Sequence, residues 1–181
     1  MKTEPIWIPG PWPGRLGIVP RPRGGDWLED EIRSWRRAGV GVALSLLTLD
    51  EATEFGLTDE AVLSRANGIR FGSFPIPDRG IPPSKEAFSE LIAHLAEELA
   101  TGKTVVVHCR QGIGRSGLIA TGVLAMFGID PEAAMRRVTA ARGCPVPETA
   151  EQRHWILDFA KSKTAPATIV SEVGRPQSPI T

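Results

Sequence analysis

Two rhythms of apolar residues alternate along this chain. Short β-branched runs are separated by longer segments in which apolar residues recur every three or four positions, the periods of strand and helix. Residues 40–47, 69–74 and 103–107 read as buried strands. Residues 6–8 and 16–19 are shorter, and the turn-rich Pro9-Gly10-Pro11-Trp12-Pro13-Gly14 between them predicts a hairpin. Such prolines suit a sheet edge and not its centre. Helices are expected from an N-cap at Asp26 to Ala38, carrying Trp27, Ile32 and Trp35. A short one opens at Thr58-Asp59-Glu60-Ala61 and stops at Asn67-Gly68. The strongest amphipathic pattern, residues 84–100, places Phe88, Leu91, Ile92, Leu95 and Leu99 on one face, a core stripe. Further helices are expected over 115–127, 130–141 and 149–162. Strands alternating with helices predict an α/β fold, with a mostly parallel central sheet of four to five strands flanked by helices. One domain spanning 1–162 is expected. The remaining 163–181, rich in Pro, Thr and Ser, reads as a flexible tail. No internal repeat is visible.

The densest chemistry lies where the 103–107 strand meets the 115–127 helix. The intervening stretch reads His108-Cys109-Arg110-Gln111-Gly112-Ile113-Gly114-Arg115-Ser116-Gly117, with five residues between Cys109 and Arg115. A strand, a Gly-rich loop and a helix N-terminus make an anion site, because backbone N–H groups converge and the helix dipole favours negative charge. The same field favours the thiolate of Cys109, the nucleophilic form. Arg115 offers a planar fork that matches two phosphate oxygens. Residues 110–115 would wrap the phosphate mainly through their amides, and the Ser116 hydroxyl could bond the thiolate or help it leave. Cys109 alone would read as a buried structural thiol; the coincidence of Arg, Ser and glycines at this spacing argues for a nucleophile.

This signature resembles that of the cysteine-based protein tyrosine phosphatase superfamily. The stretch Phe74-Pro75-Ile76-Pro77-Asp78-Arg79-Gly80 resembles the general-acid loop of its dual-specificity branch, and the likeness is to compact phosphatases related to the kinase-associated phosphatase. It covers roughly residues 40–160. The resemblance implies metal-free hydrolysis of phosphate esters through a phosphocysteine intermediate, without a cofactor. Asp78 would protonate the leaving oxygen and then activate the hydrolytic water; as an isolated residue in a Pro/Gly turn it would read as a local hydrogen-bonding group. His108 would hold the loop. Gln152 has two readings: orienting the water, as in some relatives, or closing a capping box with Thr149. Arg79 and the side chain of Arg110 read equally as substrate contacts or as solvated charges, whereas His94 and His154 read as surface or helix-packing residues.

Twenty-one basic and 21 acidic residues leave 181 residues without net charge, so nothing marks a general binder of nucleic acid or of membrane surfaces. No run is long and apolar enough to span a bilayer, the N-terminus lacks a signal-peptide core, and two cysteines form no disulfide framework; cytoplasm is the expectation. Cys144, the other cysteine, reads as an inert thiol more readily than as a redox partner of Cys109. There is no tyrosine, so the chain lacks the tyrosine-bearing recognition loop of the tyrosine-specific enzymes, and a shallower, dual-specificity pocket follows from the resemblance. The expected substrate is a phosphorylated protein. A phosphoinositide or RNA 5′-phosphate substrate, or a non-catalytic phosphate-binding module, is the alternative.

Overall fold

The computed structural model describes residues 4–164. Among these residues five strands form one sheet, β1 (Ile6–Ile8), β2 (Arg15–Pro20), β3 (Val42–Ser45), β4 (Arg70–Ser73) and β5 (Thr104–Cys109), in the order β1-β2-β5-β3-β4. The β1–β2 hairpin is antiparallel and lies at the edge; every other pairing is parallel. The central strand β5 runs beside β2, with Pro20 opposite Cys109, and beside β3, with Ser45 opposite His108.

Among the described residues seven helices cover the sheet: α1 (Leu28–Arg37), α2 (Leu49–Glu54), α3 (Glu60–Ala66), α4 (Lys85–Ala100), α5 (Gly114–Met126), α6 (Pro131–Arg142) and α7 (Ala150–Thr164). The two-residue period of β5 splits the core in two. Val105, Val107 and Cys109 face a large cluster with Phe88, Ile92, Leu118, Ile119 and Ile156 from α4, α5 and α7. Val106 faces a smaller cluster with Leu28, Ile32 and Trp35 of α1. The α4 stripe is core as expected: Phe88, Ile92, Leu95 and Leu99 are buried and Leu91 packs half-buried against them. Phe88 meets Trp155 and Phe159 edge-on at 4.7 and 4.8 Å, which docks α7. Helix α5 runs through the middle of this layer, and close approach requires its glycines. A Cβ on Gly117 would lie 2.0 Å from Val146.

One expectation needs correction, one helix goes unannounced in the sequence and one helix end shifts. Asp26 caps no helix: Gly25, at φ 58°, lets the chain form a 3-10 turn over Gly25–Trp27, and α1 starts only at Leu28. Helix α2 has no apolar stripe to announce it. Its marker is a capping box, in which Thr48 Oγ1 accepts from the Glu51 amide while a Glu51 carboxylate oxygen accepts from the Thr48 amide. Helix α7 runs from Ala150 to Thr164, two residues past its expected end; residues 165–181 of the expected tail lie outside the described part.

Candidate active site

Cys109 is the last residue of β5 and is 3% exposed. Immediately after it the chain turns out of the sheet. Arg110 and Gln111 form an exposed rim, and the chain then folds back at Gly112 (φ 66°). A Cβ there would lie 2.8–2.9 Å from the backbone of Val19 and Pro20, so the end of β2 admits no side chain at this point. Arg142, at the end of α6, takes the loop carbonyls: its Nη2 donates to Gln111 O at 2.9 Å and its Nε to Gly112 O at 2.8 Å. With these carbonyls tied from outside and α5 starting at Gly114, the first amides of α5 have no helical acceptor and are available to an anion.

Arg115 is 2% exposed, and its bonds decide which of its edges can serve a ligand. Nη1 donates to Glu51 Oε2 at 2.7 Å and to Ile76 O at 2.9 Å. Nη2 donates to Glu51 Oε1 at 2.9 Å and to Asp78 Oδ1 at 2.8 Å. Both Nη1 protons are therefore spent on the protein, and Nε has no partner among the described residues. The edge left for a phosphate is Nε with the Nη2 proton now on Asp78. Burial opposes charge on the guanidinium, but Glu51, Cys109 and Asp78 more than offset it and hold its pKa above the ordinary value. Burial likewise opposes ionisation of Glu51; its bonds from Arg115 and the Thr48 amide prevail and hold its carboxyl below the usual range.

Asp78 sits on the opposite wall, on the loop after β4. Ile76 anchors that loop through its amide to Leu46 O, 3.1 Å, while Gly80 N donates to Pro77 O at 2.9 Å. Between them Arg79 takes a left-handed conformation (φ 59°), uncommon for a side-chain-bearing residue. The Asp78 carboxylate is about half exposed, and Arg110 Nη1 stands 3.7 Å from its other oxygen. Together Asp78, Arg79, Cys109, Arg110, Gln111, Gly114, Arg115 and Glu148 line a pocket of about 210 Å³. Three other carboxylates near helix starts, Asp50, Asp59 and Asp130, do not line it, and Asp130 is occupied capping α6. A larger hollow of about 780 Å³ between α5, α6 and α7 shares no lining residue with it.

The remaining candidates take supporting positions. His108 points to the other side of the sheet from Cys109. Its Nε2 lies 2.8 Å from Glu60 Oε1, both side chains being almost fully buried, and the Trp35 ring packs on it. It therefore braces the strand end from behind and does not face the pocket. Gln152 is wholly buried and does more than either sequence reading allowed. Its Oε1 accepts from the Glu148 and Thr149 amides, and its own amide donates to Thr149 Oγ1, the capping box; its Nε2 donates to Gly80 O at 2.9 Å. One side chain thus joins the start of α7 to the Asp78 loop, and a Cβ on Gly114 would press on it. Ser116 is buried, and its hydroxyl has no hydrogen-bond partner among the described residues. Ile113 precedes α5 and packs half-buried on the core. His94 and His154 are exposed. Both cysteines are free thiols. Glu51, Glu60 and Arg142 were not singled out from sequence; only Glu51 carries a local signal, the capping box.

Residues 12–164 match the DSP-PTPase phosphatase domain of the Swiss Army Knife proteins, PTP-SAK. This chain belongs to that family. The PTP-SAK match spans every element that builds the pocket. A relative of this domain, cyclin-dependent kinase inhibitor 3 of Rattus norvegicus, is 25% identical over 134 residues, 73% of this chain and 63% of its own; the chain thus spans under two thirds of that protein. Among solved structures, kinase-associated phosphatase with its catalytic-site cysteine replaced by serine superposes with a TM-score of 0.80 at 20% identity, over 90% of this chain and 96% of that one. Tk-PTP in its active form gives 0.69 at 26%, over 82% and 92%. No helix among the described residues is long and apolar enough to cross a membrane.

Proposed function

We propose that this member of the PTP-SAK family hydrolyses phosphomonoesters on proteins through a phosphocysteine on Cys109. The observation that carries the proposal is the outward edge of a buried Arg115 beside the thiol, open at Nε and held at Nη2 by Asp78, at a helix start whose amides lack acceptors. The Cys109 thiolate attacks phosphorus while the P–O bond to the leaving group breaks. Its electron pair stays on that oxygen, which takes a proton from Asp78. Water then attacks phosphorus and gives a proton to the Asp78 carboxylate, and the P–S bond breaks to return the thiolate. Amides of residues 110–115 and the Arg115 fork hold the non-bridging oxygens throughout, where charge gathers.

An arriving phosphate must take the Nη2 proton now bonded to Asp78. Substrate binding thereby releases Asp78 to swing to the leaving oxygen, with Gln152 holding the Gly80 end of its loop. In this scheme His108 and Ser116 support the loop, and the reaction draws on no metal or cofactor. A phosphoprotein substrate is favoured over a phosphoinositide or RNA 5′-phosphate because the loop between Cys109 and Arg115 carries one basic residue, Arg110. A cytoplasmic setting accompanies this assignment, since the mechanism needs a reduced thiol.

The test is turnover of p-nitrophenyl phosphate with chelator and reductant present. Wild-type protein should turn over and Cys109→Ser should not, while still binding vanadate or phosphate. Activity in Cys109→Ser near wild type, or none in either protein, defeats the proposal, and binding without turnover would leave a phosphate-binding module. A panel of phosphopeptides, phosphoinositides and 5′-phosphorylated RNA then decides the substrate class.

A further inference from the structure

Beside the phosphate loop, the backbone of β2 passes into an arginine-rich segment that the chemistry above does not use. Pro20 stands opposite Cys109 in the sheet, and the next amide, that of Arg21, donates to Arg110 O. The Arg21 side chain lies over the ring of Phe55, 4.0 Å from its centroid, and the Arg110 guanidinium approaches the same ring at 5.3 Å. Phe55 ends α2, the helix whose Glu51 holds Arg115. Two cations are therefore gathered on one aromatic ring directly alongside the pocket.

Their electrostatic situations differ from that of the next arginine along. Arg23 is neutralised by the buried Glu31 at 2.6 Å and covers Trp27. Arg21 has no carboxylate partner among the described residues, and Arg110 has only the Asp78 oxygen at 3.7 Å, on a residue that the reaction requires to move. Like charges brought together on one ring repel, and an anion between them relieves that repulsion. The segment is also fixed: Gly25 N donates to Gly56 O at 2.9 Å, and a Cβ on Gly24 would strike Phe55 O at 1.8 Å, so the ridge 21–27 is packed against the end of α2.

We propose that Arg21 and Arg110, both approaching the Phe55 ring, form a second anion subsite that selects phosphopeptides bearing an acidic side chain next to the phosphorylated residue. A peptide fits this ridge better than a compact headgroup, because the surface continues past Arg23 to Trp27, 56% exposed, and offers apolar cover to neighbouring side chains. The proposal rests on the phosphatase assignment for the primary site, but its test does not require turnover.

Affinity is measured in Cys109→Ser, which binds without reacting, for two phosphothreonine peptides that differ only in having glutamate or glutamine on both sides. The glutamate peptide should bind about three- to tenfold more tightly, the scale of one or two solvent-facing ion pairs, and the preference should shrink as salt rises. Arg21→Gln in that background should bring the ratio to about one, whereas a merely structural role for Arg21 would weaken both peptides alike. Equal affinities, or a ratio unchanged by Arg21→Gln, overturn the subsite. A soluble inositol bisphosphate that binds more tightly than the glutamate peptide, with that advantage lost in Arg21→Gln, overturns the peptide assignment. Catalysis is read separately, from p-nitrophenyl phosphate with wild-type protein, so loss of the phosphatase assignment and loss of the subsite give different results.

Discussion

The two walls of the pocket are built by opposite means. On the cradle side, Cys109 and Arg115 are buried, and the guanidinium is held by a two-pronged carboxylate and a backbone carbonyl; its loop is pinned from outside by Arg142. On the acid side, Asp78 is half exposed on a turn with a left-handed residue; Leu46 and Arg115 hold the loop at Ile76, Gln152 holds it at Gly80, and the carboxylate itself has one close partner, Arg115. A preformed cradle places donors where charge develops without reorganisation at the moment of reaction. Under the proposed mechanism Asp78 would have to meet leaving groups of different shape and then a water, which suits a wall with slack. Rigidity is thus concentrated where geometry must not change, and freedom where it must.

The contrast is most severely tested on the cradle. Arg115→Lys keeps the charge but loses the fork, each charged hydrogen bond of which contributes roughly 1.5–3 kcal/mol. Its kcat/KM should fall about 10²- to 10⁴-fold; a loss of only a few-fold would mean that Arg115 does not clamp the phosphate. Glu51→Gln attacks the same wall from behind. Removing one partner of a buried pair should destabilise the fold by about 3 kcal/mol, read from denaturant unfolding, and slow turnover by loosening the guanidinium.

Glu51 also makes this wall sensitive to acid. Its folded-state pKa is depressed below the ordinary 4.5, so its contribution to stability is complete above that value and is lost as pH falls through the lower folded one. Wild-type stability should decline over that acid range and Glu51→Gln should decline less. Parallel curves would show that the pair does not contribute.

Changes on the acid wall should be smaller and depend on the substrate. Asp78→Asn should slow phosphothreonine hydrolysis about 10²-fold, spare aryl esters of acidic phenols, and remove the alkaline limb of the pH–rate profile. An unchanged leaving-group dependence would send the search to another acid. Gln152→Ala, which unties Gly80, should cost only about fivefold, the equivalent of one hydrogen bond of about 1 kcal/mol, and the loss should be confined to substrates that need the acid. An equal loss on aryl and alkyl esters would assign Gln152 to the cap of α7 alone.

The same division separates what was legible in the sequence from what was not. The strand–loop–helix around Cys109 is written in contiguous residues: a β-branched run, glycines at fixed offsets and an apolar helix. The parallel sheet and the α4 stripe follow from periodicity in the same way. Glu51 meets Arg115 across 64 positions and Arg142 meets Gly112 across 30, and no local pattern encodes such a meeting. Glu60 is similar, a surface-type residue buried only because His108 alternates onto its side of the sheet. Helix α2 was missed because six residues are too few for a periodic signal, although its capping box was there to read. Asp26 was misread as a cap because nothing before it reveals that Gly25 turns left-handed. For Gln152 the sequence announces only the cap; its bond to Gly80 spans 72 positions and has no local signal.

The central place of β5 also bears on how the protein is made. Its neighbours β2 and β3 are both drawn from the first third of the chain, while β5 itself comes late, and both pairings are parallel. Such distant partners close slowly, because loop entropy is lost before the contacts that compensate it form. During synthesis β2 must therefore wait with an unpaired edge until β5 has left the ribosome. Gly112 can take up its place against Val19 and Pro20 only after that seam has closed. Until then Cys109 lies on an open chain, without the folded loop and the buried Arg115 that surround it in the finished protein.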